Sequence, residues 1–423
     1  MSQSRITALK GRRVWDSRGR PTLEAEVSLA SGHTGRAIAP AGASTGSGEA
    51  LDLRDGGTRL GGLDISIALG RLHSIIAPGL TGFDASDQLA VDGRLIELDG
   101  TADKSKLGGN ATIAVSMAVL HAAAAAAGLP LYRYLGGDEV TQLPLPEIQI
   151  FGGGAHAEGS IAIQDFLVVC PGASSFAQAL EWTAEIYRYA GIEMKRLGRY
   201  RGIADEGGYW PAFDTNEEVL ETLTSVIEKA GFRPLDEVAI ALDVAASEFA
   251  KNGAYHLGEN RLDTTQLIEQ LGKWIDRYPI VSIEDPLAED DVQGFIDFTA
   301  RFGEQMQVVG DDLLVTSASR VRQSADSKAC NSVLIKPNQR GTISETLACW
   351  QAAKEVGFQG IVSARSGESE DITICHLAIG WQVPQFKVGS FARSERMAKW
   401  NEMLRIEEAI GSSASFVGSR ALN

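Results

Sequence analysis

Six apolar segments in the second two-thirds of the chain each finish on a residue that can do chemistry. "ALD" ends at Asp243, "SIED" carries Glu284, "VVGDD" carries Asp311, "VLIK" ends at Lys336, "VSARS" ends in Arg365 and Ser366, and "QFK" ends at Lys387. Carboxylate oxygens are hard ligands, and three of them from neighbouring segments suit Mg²⁺. Crowded without a cation, three buried negative charges would be costly. Lys336, on the next segment, is then a candidate base, with its pKa expected to be lowered by the metal and by burial. A metal held against a substrate carboxylate would stabilise the charge left when a proton leaves the adjacent carbon.

These residues must be brought to one place by the elements that carry them. The strands "EVAIALD", "YPIVSIED", "MQVVGDD", "CNSVLIK", "GFQGIVSAR" and "PQFKVGS" alternate with amphipathic stretches such as "TTQLIEQLGKWIDR" and "GTISETLACWQAAKEVG". Continuous apolar strands separated by helices imply a parallel sheet covered by helices. The expected fold is α/β: a TIM-type (β/α)8-like barrel over residues 141–423, whose C-terminal strand ends share one mouth. Residues 1–140 read differently, as an N-terminal α+β capping domain. "RITALKGRRVW" and "TLEAEVSLASGHTGRAIAP" are strands with a turn at Ser31-Gly32. The helical stretches "ISIALGRLHSIIAPGL", "SDQLAVDGRLIEL" and "NATIAVSMAVLHAAAAAAG" follow, the last stopping at Gly128 before Pro130.

Net charge is −16, from 55 acidic and 39 basic residues. That argues against a nucleic-acid surface, which needs a basic footprint, yet leaves room for a small anionic substrate in a locally positive pocket. No uninterrupted run of about 18 apolar residues is present, so no membrane span is expected. The opening "MSQSRITALKGRRVWDSRGR" has no apolar signal region, which points to the cytoplasm. Cys170, Cys330, Cys349 and Cys375 are far apart and are expected to be free and buried.

Longer motifs carry a specific resemblance. "DSRGRPT" (16–22), "GASTG" (42–46), "KSKLGGNA" (104–111), "DEGG" (205–208), "SIEDPLAEDD" (282–291), "GDDLLVT" (310–316), "IKPNQRGT" (335–342) and "ARSERMAKWNEMLRIEE" (392–408) resemble enolase, the phosphopyruvate hydratase family, over nearly the whole chain. The resemblance implies two Mg²⁺ sites, one conformational and one catalytic. Asp243, Glu284 and Asp311 match ligands of the first, and Ser44 in the "GASTG" loop matches a ligand of the second. It also makes Lys336 the base, and Glu206 the acid for the leaving hydroxyl, with Asp165 the second carboxylate of that end. His156, Gln164, Arg365, Ser366 and Lys387 become substrate-binding residues. The implied substrate is a small anionic phospho-carboxylate, 2-phosphoglycerate, and the implied assembly is a homodimer or larger.

Departures fall at the hydroxyl and phosphate end. Ala364 stands where enolases usually carry histidine ("SARSGE" for "SHRSGE"), and Gly48 replaces a lid histidine. Asp165 replaces a glutamate, Gly152 an asparagine, and Pro337 and Arg340 replace apolar residues. They keep two further readings open. One is a paralogue acting on a related phospho- or phosphono-carboxylate, as carboxyphosphonoenolpyruvate synthases do, with Arg340 facing a second anionic group. The other is a non-catalytic homologue.

Overall fold

The computed structural model describes residues 3–43, 45–157 and 161–422. Strands β1 (Ile6–Trp15), β2 (Pro21–Leu29) and β3 (Thr34–Ile38) form an antiparallel sheet in chain order. Gly32, at φ +84°, makes the β2–β3 turn, a backbone conformation that glycine adopts without steric cost. Helix α1 (Gly109–Ala127) packs on β2 and β3 and ends at Gly128 in the left-handed conformation.

The alanine run allows an unusually close approach here. A Cβ on Gly35 of β3 would stand 2.1 Å from Ala122 N and 2.2 Å from Ala118 O. Gly35→Ala is therefore expected to destabilise the protein by about 3 kcal/mol through overpacking, measured by urea unfolding; a loss under about 1 kcal/mol would contradict this packing. Helix α1 also qualifies the expectation of no membrane span. By length and hydropathy it could cross one, but 78% of its most apolar window is buried inside the fold. Its apolar surface serves the core.

The second part of the chain closes into an eight-stranded barrel. Its strands are β4 (Leu145–Gly152), β5 (Asp165–Val169), β6 (Ala239–Asp243), β7 (Ile280–Glu284), β8 (Gln307–Gly310), β9 (Ser332–Ile335), β10 (Gln359–Ser363) and β11 (Gln385–Ser390). They follow one another around the ring in chain order. Most neighbours are parallel, but β5 runs antiparallel to both β4 and β6. A uniformly parallel barrel is thus not what forms. The far end of the barrel is filled by Leu145, Leu167, Val169, Ala239 and Ala241 packed against Val417 and Ala421 of the C-terminal segment. All four cysteines are free and buried.

Between cap and barrel, helix α2 (Thr373–Gly380) buries His376. Its ring stacks on Tyr132 at 6.2 Å, meets His121 edge-on at 6.5 Å and lies 3.7 Å from Glu402. Burial, then the neighbouring His121, pushes the imidazole down to about 4, with Asp371 opposing. Below pH 6.5 the unfolded chain takes up a proton that the folded chain refuses, so stability falls with pH down to about 4. We expect this group to contribute about 3 kcal/mol of that loss. His376→Phe should remove it when urea unfolding is compared at pH 6.5 and 4. Parallel losses in both proteins would overturn the assignment.

Candidate active site

Strand geometry delivers the chemistry-bearing residues to one mouth. Asp243 and Glu284 end β6 and β7 in register with each other. Asp311 and Lys336 come directly after β8 and β9, and Lys387 of β11 is in register with Ser363 of β10. Asp165 arrives by the opposite route. It is the first residue of β5, and because that strand is antiparallel, its start pairs with Asp243 and with Gly152 at the same end. Gln164, Asp165, Glu206, Asp243, Lys336, Arg365, Ser366, Lys387 and His156 line one small polar cavity. Ser44 lies outside the described residues.

The charges pair in a definite pattern. The Lys387 ammonium donates to Asp243 Oδ2 at 2.9 Å and Glu284 Oε2 at 2.7 Å, and lies 3.7 Å from Asp165. The Lys336 ammonium donates to Asp311, which also accepts from Gln339 Nε2 at 2.9 Å. Asp243 accepts from Gln164 Nε2 at 3.0 Å. Asp243, Glu284 and Asp311 do not converge as a ready cage. Among the described residues, the triples of carboxylate or imidazole groups whose ligand atoms gather within 4.8 Å are Asp285/Asp311/Asp312 and His156/Asp165/Glu206. Lysine ammoniums stand among the three predicted ligands instead.

Lys336 departs from expectation too. Burial alone would lower its pKa, but the charges of Asp311 and Glu284 together offset it and the net shift is upward. A lysine tied to a carboxylate keeps its proton. To act as a base, Lys336 needs Asp311's charge engaged elsewhere.

The donor set fits a hard divalent cation. Burial and the charge of Asp243 push Glu284 well above the usual carboxylate range. Burial and Asp311 push Asp312 to about 8. Glu284 Oε1 and Gln164 Oε1 are buried acceptors with no hydrogen-bond partner among the described residues. Buried oxygens that must otherwise be protonated or left unpaired are what a cation satisfies.

At the other side, His156 Nε2 lies 3.6 Å from Asp165 Oδ1 and 3.8 Å from Glu206 Oε1. Burial raises the Asp165 carboxyl to about 6, with His156 and Lys387 opposing. Burial would raise Glu206 as well, but the charges of His156, Arg396, Lys387 and Lys336 outweigh it and hold that carboxyl down.

Several positioning residues escaped the sequence reading. Asp285, held at φ 41°, accepts from the backbone N–H groups of Asp311 at 3.0 Å and Asp312 at 2.8 Å, fixing that turn. A carboxylate next to Glu284 and before Pro286 was the available signal. Glu49 accepts from Arg365 at 2.9 Å and so ties its own loop to the segment after β10. Gln149 donates to Asp165 and accepts from Gly208 N.

The departures have local causes. A Cβ on Gly152 would meet Gln149 Nε2 at 2.9 Å, so Gln149 fills the space of the absent asparagine. A Cβ on Gly48 would meet the Arg320 guanidinium at 2.6 Å. That guanidinium donates to Ser47 O at 2.8 Å, while Ser47 N and Oγ donate to Glu289 at 2.8 and 2.9 Å. Ser47 is thus held by Arg320 and Glu289. Ala364 lines the cavity. Pro337 begins a short helix after Lys336. Arg340 does not line the cavity but donates to Glu345 at 3.4 Å, so it does not face a second anion there.

The cap is fastened over this mouth. Ser17 N donates to Glu368 O at 2.7 Å, Ala41 and Gly367 exchange backbone bonds, and Ser17 Oγ donates to Ser366 O at 3.2 Å. An eight-stranded barrel under an α+β cap, with acids and lysines at its mouth, is the build of a capped-barrel enzyme. Residues 6–135 match the family described as "Enolase, N-terminal domain", and residues 140–423 match "Enolase, C-terminal TIM barrel domain". "Enolase 1" of Desulfitobacterium hafniense (strain Y51) is 47% identical over 421 residues, covering 98% of this chain and 96% of that one. The chain belongs to the enolase family, and with it to the hydro-lyases.

Proposed function

We propose that the protein dehydrates 2-phosphoglycerate to phosphoenolpyruvate. The observation that carries this reading is the retention of Asp243, Glu284, Asp311, Lys336 and Lys387 together at one mouth, in a chain 47% identical to an enolase from end to end. Asp243, Glu284 and Asp311 would hold Mg²⁺, which when bound supplies positive charge opposite the negative charge that builds on the substrate carboxylate. Engaging Asp311 in that way would free Lys336 to take the C2 proton. Lys387 and Gln164 orient the carboxylate, and Arg365 and Ser366 hold the phosphate. As the C2 carbanion's electron pair becomes the C2=C3 bond, the C3–O bond breaks and the hydroxyl leaves as water with a proton from the Asp165/His156/Glu206 group. Ser44 is proposed as a ligand of a second Mg²⁺.

Arg340 on Glu345 removes the feature that favoured a phosphono-carboxylate, and the end-to-end relationship is to an enolase. The setting we propose is glycolytic and cytoplasmic, in keeping with four free cysteines, with a homodimer or larger assembly as the family resemblance implies. The test is ³¹P NMR of 2-phosphoglycerate with the protein. Phosphoenolpyruvate should form with Mg²⁺, stop with a chelator and resume when Mg²⁺ is restored; no product under any of these conditions would overturn the reading.

A further inference from the structure

The polar cavity is tight, about 20 Å³. Past Ala43 and His156, which line both spaces, it opens into a broad vestibule of about 640 Å³. This outer space is lined by Arg18, Arg20 and Arg393 with Asp205 and Trp210. Three guanidiniums against one carboxylate is a local reversal in a chain of net charge −16.

Two of the arginines have structural bonds. Arg18, with its side chain only 8% exposed, donates to Ala41 O at 2.9 Å and Gly42 O at 3.1 Å and lies 4.0 Å from Asp205. Arg393 Nε donates to Ala204 O at 3.3 Å. Arg20 differs. Its backbone N–H is tied to Asp16 Oδ1 at 2.8 Å, and its exposed guanidinium has no hydrogen bond or ion pair among the described residues. Burial and then Arg20's charge lower the Arg18 pKa, a sign that the two cations face each other. Fastening of loops explains Arg18 and Arg393 but leaves Arg20 and the shared face without a role.

We propose that this vestibule is a second anion site on the route to the inner cavity, which takes up the phosphate of a phospho-carboxylate before it reaches Lys336. The substrate class rests on the function proposed above; the anion site itself does not. A multiply charged anion approaching a strongly acidic protein is repelled at long range, and a cleft of one opposite sign focuses it and raises its capture rate. Such capture fades as salt shortens the Debye length to about 8 Å at physiological ionic strength.

The experiment compares Arg20→Ser with Lys273→Ser, which removes the same charge from the exposed face of the outer helix Thr264–Arg277. For 2-phosphoglycerate at low ionic strength, Arg20→Ser should lower kcat/KM roughly threefold through KM with kcat held, and the gap should close as salt rises. Lys273→Ser should match the unmodified protein. Calorimetric titration with inorganic phosphate gives the arm that does not depend on turnover: Arg20→Ser should weaken phosphate binding by a similar factor. If the protein turns over no 2-phosphoglycerate but Arg20→Ser still weakens phosphate binding, the substrate reading fails and the anion site stands. Kinetics and phosphate affinity equal in the two variants would overturn the proposal.

Discussion

Lys336→Ala is expected to abolish hydrogen exchange at C2 of 2-phosphoglycerate, a loss on the order of 10⁴-fold. The reason is positional. Lys336 follows β9 directly, lines the cavity and has its ammonium on Asp311, one of the three predicted metal ligands. A lysine whose charge is balanced by a carboxylate becomes a base once that carboxylate's charge is taken up by a cation. Removing the side chain removes that base, while Asp243 and Glu284 stay on their strand ends. Mg²⁺ binding, followed by calorimetry, should therefore persist in the variant. Exchange at the unmodified rate would sink the assignment of the base, and joint loss of exchange and Mg²⁺ binding would make Lys336 a structural partner of Asp311 instead.

Glu206→Gln should separate the two halves of the reaction. The carboxyl lies 3.8 Å from His156, which is also 3.6 Å from Asp165, whereas Asp243 and Glu284 accept directly from Lys387. We expect C2 exchange to survive while water loss slows by about 10² to 10⁴, the usual cost of losing a general acid. Asp165→Asn should behave in the same way if the pair and His156 act as one group, and the double variant should then cost little more than either single one. Equal loss of exchange and dehydration in Glu206→Gln would place this carboxyl in proton removal or in holding the fold, and would overturn its role at the leaving group. Asp165 is the more interesting partner, since burial already raises it to about 6.

How much of this was legible beforehand depends on which physical rule each residue obeys. Asp243, Glu284, Asp311, Lys336 and Lys387 could be read because parallel strands are apolar runs with polar ends. Asp165 breaks that rule: it opens an antiparallel strand, so the strand's apolar run follows it instead of leading up to it. The β4–β5 hairpin was hidden for the same reason. Gly48 and Gly152 looked like lost functional groups, yet Arg320 and Gln149, remote in sequence, occupy the space that side chains there would need. Single positions carry no trace of such exchanges. The Lys336 charge state also lay beyond the sequence, because it turns on which carboxylate the ammonium meets across two strands. Arg340 misled in the opposite direction, as a charged loop residue satisfied locally by Glu345.

One sample tests the central claim most directly: the protein with 2-phosphoglycerate and Mg²⁺ in D₂O, followed by ¹H and ³¹P NMR. The account predicts both loss of the C2 proton signal and growth of phosphoenolpyruvate, each requiring Mg²⁺. Exchange without product would contradict the role given to Asp165, His156 and Glu206. Neither signal would contradict the proposed reaction itself.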